Sequence, residues 1–326
     1  MQIQNKAVPL HPLSIERITW MVLSGVKIVN RKSKIVNNKV NILITGCNGQ
    51  LGSEIRMLEQ EHPEHTYFNT DVAELDITDQ TAVEQFVADN EIDGIVNCAA
   101  YTAVDKAEDN KELCTTLNTL APAYLAAAID KRGGWLIQIS TDYVFNGTKH
   151  TPYVETDTPC PDSVYGSTKL AGELGVTKFC KRAMIIRTAW LYSTFGNNFV
   201  KTMIRLGKER DTLGVIFDQV GTPTYARDLA RAIQHIMVKG IVPGIYHYSN
   251  EGVCSWYDFT KMIFALGGIT TCQLKPLHTD EYPTPAARPH YSVLDKTKIK
   301  QTYGIDVPYW VDSLRECISS VVSCEF

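Results

Sequence analysis

A chain of 326 residues that is 44% hydrophobic and 21% charged has ordinary globular composition, with length enough for a nucleotide-binding domain and a smaller companion. Its net charge of −4 lacks the basic excess that binding along a phosphate backbone requires, so nucleic acid is not an expected partner. The nine cysteines are scattered without a C-x-x-C pair, which argues against a zinc site and reads as buried thiols in a reducing cytoplasm.

The first 39 residues stand apart. They carry seven Lys or Arg against one Glu, a charge of +6 that leaves −10 for the remainder (−4 minus +6). Their apolar run, Ile18 to Val29, is interrupted by Lys27 and falls short of the roughly 20 residues a membrane span needs. No small-residue cleavage site clearly follows it, so a signal peptide is not expected either. Two readings remain open for residues 1–39: a disordered or loosely docked basic extension, or residues added by an upstream start codon.

From Val40 onward, short apolar runs alternate with amphipathic stretches, the rhythm of βαβ units. The expected strands are Val40 to Thr45, Thr66 to Asn69, Gly94 to Cys98, Trp135 to Ser140 and Met184 to Thr188. Helices are expected over Gln50 to Gln60, Thr81 to Asn90, Lys111 to Lys131 and Ser163 to Lys181. After Arg187 the pattern shortens, and the Pro- and Tyr-rich pieces Pro243 to Tyr248 and Glu281 to Tyr291 read as part of a substrate-covering lobe. The expected architecture is α/β, a Rossmann-type doubly wound parallel sheet over residues 40–188. Residues 189–326 form mainly a smaller C-terminal substrate-binding lobe, with some segments returning to the first domain.

The first strand runs into Gly46-Cys47-Asn48-Gly49-Gln50-Leu51-Gly52, a G-x-x-G-x-x-G turn opening a helix. Such glycines let backbone amides approach a pyrophosphate at the helix N-terminus. Asp71 follows the second strand about twenty residues on, where a carboxylate accepts hydrogen bonds from an adenosine ribose and repels a 2′-phosphate, which favours NADH. Asp76 and Ile77 are an alternative lining for the adenine end.

Thr141 closes the fourth strand at its carboxyl end, the edge where open α/β sheets bind ligands, and its hydroxyl can donate to a substrate carbonyl. Tyr165 and Lys169 lie four residues apart on an expected helix, so both reach one cleft. A free phenol has a pKa of about 10, too high for efficient proton transfer near neutrality. An ammonium about 4 Å away would favour the phenolate by about 4 kcal/mol at an effective dielectric near 20. That corresponds to about three pKa units, so the lysine is expected to tune the tyrosine.

With these residues in place, the chain resembles the extended short-chain dehydrogenases, the family of sugar-nucleotide epimerases, dehydratases and reductases, from Val40 to about Val322. The likeness is narrowest to the family's reductases of dTDP-linked keto sugars. TGCNGQLG, VNCAAYTAVDKAE, STDYVFNG, PDSVYGSTKLAGE, RTAWLYS, DQVGTPT and ARPHYSVLD carry it, in that order. The resemblance implies hydride transfer from NADPH or NADH to C4 of dTDP-4-dehydro-β-L-rhamnose, giving dTDP-β-L-rhamnose, with Tyr165 as proton donor and Thr141 as second donor. The family's usual NADPH stands against the NADH lean of Asp71.

The resemblance further places Ala99, Ala100 and Tyr101 at the cofactor and Lys169 on its ribose. Thr102, Val104 and Asp105 would line the sugar or cofactor site, Thr141 and Tyr143 would contact the substrate, Trp190 would pack on the sugar ring, and Arg288 would pair with the diphosphate. Some relatives bind Mg2+ and form homodimers through acidic residues, which the sequence does not place here. Two rivals use the same motifs: another sugar-nucleotide epimerase or reductase, and a non-catalytic reductase-like regulatory subunit. The intact Thr141, Tyr165 and Lys169 argue against the second.

Overall fold

The computed structural model describes residues 39–323, so the expectations for residues 1–38 lie outside the described residues. Six strands form one parallel sheet: β1 (Asn41–Thr45), β2 (Thr66–Thr70), β3 (Gly94–Asn97), β4 (Trp135–Thr141), β5 (Ala183–Thr188) and β10 (Gly244–His247). Their order across the sheet is β10-β5-β4-β3-β1-β2. The chain steps from β1 to β2 on one side and to β3 on the other, so the connections diverge above the carboxyl ends of β1 and β3. A crevice opens at such a switch point.

Alternation along each strand loads both faces of the sheet. Ile42 and Ile44 of β1 pack against α1 (Gln50–Leu58), α8 (Ala226–Lys239) and α10 (Thr297–Tyr303) through Ile55, Ile233 and Ile299. Leu43 faces the opposite layer of α2 (Gln80–Asp89), α5 (Ala121–Lys131) and α6 (Val164–Phe179), represented by Val83, Ile129 and Val176. This two-sided burial is why the strands read as near-continuous apolar runs.

A second apolar cluster, with Phe259 at its centre, joins α7 (Phe199–Glu209), α9 (Trp256–Leu266) and α11 (Trp310–Ser323) to the pair formed by β7 (Thr212–Ile216) and β12 (Gln273–Leu277). The shorter strands β6 (Leu191–Tyr192), β8 (Val220–Gly221), β9 (Thr224–Tyr225) and β11 (Cys254–Ser255) pair as β6–β9 and β8–β11.

Three local expectations change. Pro243 to Tyr248, read as lobe, contains β10, the sixth strand of the main sheet; its single-strand length and Gly244 at φ +143° hid it from a periodicity argument. The helix expected over Lys111 to Lys131 is broken into α4 (Lys111–Thr115), a π turn at Thr116–Leu120 and α5. Among the described residues the thiols are free, but Cys160 is exposed and Cys98 half-buried.

Candidate active site

The glycine loop after β1 is built by close backbone approaches. Gly46 adopts φ +65°, and a Cβ there would sit 2.7 Å from the Ala99 amide nitrogen. At Gly52 a Cβ would come within 2.3 Å of the Gly46 carbonyl, so the helix can start against the loop only with glycine. The Gly49 amide donates to the Gly46 carbonyl at 3.0 Å, and Gly49 caps α1 without a side-chain acceptor. The first-turn amides of α1 therefore keep the partial positive charge that holds anions.

A cleft of about 330 Å³ lies at the switch point, lined by Gly46, Gly49, Asp71, Asp76, Ile77, Ala99 and Ala100 among others. Those seven are among the residues expected at the cofactor, whereas Asn48, Gln50, Leu51, Gly52, Tyr101 and Lys169 are not part of this lining. Leu51 is buried in the core beneath the sheet, because its place on the first turn of α1 points it inward. Gln50 turns towards Gly196 in the second lobe. Tyr101 packs beside Tyr165 rather than lining the cleft.

Asn48 receives a hydrogen bond from Arg56 Nη1 at 3.0 Å through its side-chain oxygen, while its amide donates to Asp71 Oδ2 at 3.2 Å. The rim thus carries a carboxylate and a guanidinium side by side. Arg56 was missed in the sequence, although its place two turns into the first helix would have found it.

Buried amides align the floor. Thr45 Oγ1 donates to Asn97 Oδ1 at 2.6 Å, and Asn97 Nδ2 donates to Gln138 Oε1 at 2.7 Å, a polar row across β1, β3 and β4. Asn118, turned inward by the π turn, accepts from the Tyr101 amide at 2.8 Å and donates to the Tyr101 carbonyl at 3.1 Å. It clasps the loop after β3, and Gly172 lets α6 press on that turn, since a Cβ there would lie 2.1 Å from the Asn118 carbonyl. Neither Asn97 nor Asn118 was singled out from sequence; a lone polar residue in an apolar run was the available signal.

Thr141 ends β4, and Ser163 caps α6 by accepting from the Gly166 amide at 3.1 Å. Gly166 admits the Tyr143 carbonyl to within 2.2 Å of where a Cβ would be, which brings the start of α6 onto the turn after Thr141. The Tyr165 hydroxyl consequently shares a hydrogen bond with Thr141, and its ring meets the Tyr143 ring edge-on at 5.4 Å. Thr141 Oγ1 in turn donates to Asp142 Oδ1 at 2.9 Å. Burial pushes the Asp142 carboxyl up to about 6, against the Thr141 hydrogen bond.

Lys169 is buried and donates to the Ile139 carbonyl at 2.7 Å. Burial pulls its ammonium down to about 8, with the Glu173 carboxylate opposing. The expected lowering of the Tyr165 pKa does not appear. Burial raises the phenol, the Thr141 hydrogen bond opposes, and the Asp142 charge adds to the rise. The lysine's charge is directed at a carbonyl, and desolvation dominates a group with so little access to water.

On the far side of Tyr165, Val104 and Tyr143 pack against its ring. Thr102 is exposed on the loop that precedes α3 (Val104–Ala107). Arg288 Nη1 and Nη2 donate to Asp105 Oδ1 and Oδ2 at 2.9 and 2.8 Å, a two-pronged pair between residues 183 apart. Arg288 is thus occupied by Asp105 here rather than presented free for a diphosphate. Trp190, at φ +49°, stacks face to face on Trp256 with centroids 3.5 Å apart, so one face of the ring expected to meet a sugar is already covered.

Among the described residues, no group of three or more His, Cys, Asp or Glu side chains is placed to hold a metal ion. No helix among them is long and apolar enough to cross a membrane.

The model of the RmlD substrate binding domain matches residues 40–323. The chain is 36% identical over 299 residues to dTDP-4-dehydrorhamnose reductase of Burkholderia thailandensis, covering 87% of this chain and 100% of that protein. Among solved structures, a dTDP-4-dehydrorhamnose reductase of Clostridium acetobutylicum is 44% identical with a TM-score of 0.83, covering 87% of this chain and 100% of that one. The Bacillus anthracis dTDP-4-dehydrorhamnose reductase, in complex with NADP, is 39% identical with a TM-score of 0.82, covering 86% and 99%.

Proposed function

The chain belongs to the RmlD substrate binding domain family, and on that premise we propose that it reduces dTDP-4-dehydro-β-L-rhamnose to dTDP-β-L-rhamnose with NAD(P)H. This is the last step in making the activated rhamnose of cell-surface polysaccharide. The observation that carries the reading is the meeting of Thr141, Tyr165 and Lys169 at the carboxyl edge of the sheet, beside the glycine-lined cleft.

The cleft fits a dinucleotide: Gly46 and Gly52 stand where a Cβ would collide with backbone, and the first-turn amides of α1 carry no side-chain cap. The loop from Gly46 to Gly52 would hold the pyrophosphate, Asp71 the ribose, and Asp76, Ile77, Ala99 and Ala100 the adenosine end. The reduced nicotinamide supplies the hydride. Tyr165 donates its proton to the oxygen that becomes the C4 hydroxyl, and Thr141 orients that oxygen. Lys169, whose ammonium donates to the Ile139 carbonyl, is assigned to the nicotinamide ribose.

Thr102, Val104, Asp105, Tyr143 and Trp190 are assigned to the sugar side. Arg288 is assigned to the diphosphate, which would take the guanidinium from Asp105. The carboxylate and guanidinium on the rim support use of both NADPH and NADH, since Asp71 suits a free ribose hydroxyl and Arg56 a 2′-phosphate. A homodimer and a cytoplasmic setting enter this reading from the family resemblance and the free thiols, while Mg2+ rests on the resemblance alone, since no acidic, His or Cys cluster among the described residues is placed to hold it.

The test is oxidation of NADPH and of NADH in the presence of dTDP-4-dehydrorhamnose, with identification of the sugar product. Net reduction to the rhamnose nucleotide with both cofactors is expected. Substrate conversion without net cofactor consumption would replace the reductase by an epimerase.

A further inference from the structure

Tyr165, Lys169 and Glu173 follow one another at four-residue intervals on α6 and form one row along the helix. Lys169 and Glu173 are 4% and 3% exposed, so two opposite charges lie about one helical turn apart out of water. The carboxylate is fixed from the neighbouring strand: Arg187 Nε and Nη2 donate to Glu173 Oε1 and Oε2 at 2.9 and 2.7 Å. Arg187 is itself held, opposite Ser140 in the β4–β5 register and over the Phe145 ring at 5.1 Å. A buried pair of this kind costs desolvation and is weak evidence for stability alone. Its place directly behind the lysine of the site is what needs explaining.

We infer that Glu173 is a positioning residue for the reduction, its charge fixed by Arg187 so that the buried Lys169 ammonium stays protonated while Tyr165 works. The inference rests on the reductase reading, which gives Lys169 its role. The groups facing Lys169 can be named from each element around it. The Ile139 carbonyl comes from β4, the Cys114 thiol from α4, the Cys98 thiol from the end of β3, and Glu173 from its own helix. Glu173 is the carboxylate in that set, and Arg187 stands behind it. Burial already draws the ammonium down to about 8 with Glu173 opposing, so loss of that carboxylate removes the charge that resists deprotonation.

The experiment is the pH dependence of kcat/KM on the full chain, with near-UV circular dichroism to verify folding. The unmodified enzyme should lose activity as pH rises through about 8. In Glu173→Gln that limb should move down by about 1 unit or more, since an opposite charge within about 4–6 Å shifts a pKa by about 1–3 units. The double variant Glu173→Gln/Arg187→Met removes the orphaned guanidinium as well and should fall between the two. It carries the test if the single variant does not fold. Glu173→Asp, which keeps the charge, should restore most of the limb.

A purely structural role would lower kcat in the folded variants and leave the limb where it was; that result overturns the inference. NADPH affinity measured against pH by fluorescence follows the same titration without turnover. Absence of turnover in the unmodified chain would therefore count against the reductase reading, while an unmoved binding profile counts against Glu173.

Discussion

The two sides of Tyr165 are built on different principles. The proposed cofactor side joins the glycine loop Gly46 to Gly52, where close backbone approaches leave no room for side chains, to a cleft wall drawn from Asp71 to Ile77 and Cys98 to Ala100. The substrate side is made of side chains from distant segments, and these already satisfy one another: Arg288 holds Asp105, and Trp190 stacks on Trp256. A backbone cradle is preorganised and needs no rearrangement to receive a pyrophosphate. A side-chain site of this kind has to exchange partners when its ligand arrives, which favours discrimination over raw affinity.

The border between the sides should give the largest effect. Tyr165→Phe removes the proton donor without touching the cleft, so kcat should fall by about 10²- to 10⁴-fold while NADPH affinity stays unchanged in a fluorescence titration. Unchanged turnover would remove Tyr165 from the chemistry. Gly46→Ala probes the backbone side, because its φ of +65° and the 2.7 Å approach to Ala99 leave no room for a methyl group. Strain of about 1–3 kcal/mol is expected, with a cofactor affinity loss of about tenfold per 1.4 kcal/mol carried into binding. Sugar-nucleotide affinity should be spared, and loss of both together would break the proposed division.

Asp105→Asn probes the self-satisfied side and should do least. The pair is partly exposed, with side chains 22% and 40% accessible, so its worth is about 0–1 kcal/mol. Releasing Arg288 to the diphosphate should lower the sugar-nucleotide KM by up to about fivefold and leave the cofactor KM alone. A raised KM would show that the sugar contact assigned to Asp105 outweighs the release of Arg288.

Much of the cofactor side was legible in the sequence because its signals are local. A strand running into spaced glycines, a carboxylate after the next strand and a Tyr-x-x-x-Lys on a helix each occupy a few residues. The one broken element was local geometry as well: the π turn that swings Asn118 inward interrupts a helix whose composition looks uniform. The substrate side was legible only through resemblance. Nothing near Asp105 in the sequence announces that its partner is Arg288, and β10 looked like lobe because its pairing with β5 is made across the sheet.

The sequence by itself determined that a parallel α/β sheet presents a glycine loop and a Tyr–Lys pair at one edge, since periodicity of two and of 3.6 and the glycine spacing follow from bond geometry. Tertiary structure alone decided how those groups are charged. Burial raises Tyr165 and lowers Lys169, and the Glu173–Arg187 pair arises only when β5 is laid beside α6. Desolvation and charge act through space, over distances that the order of residues along the chain does not contain.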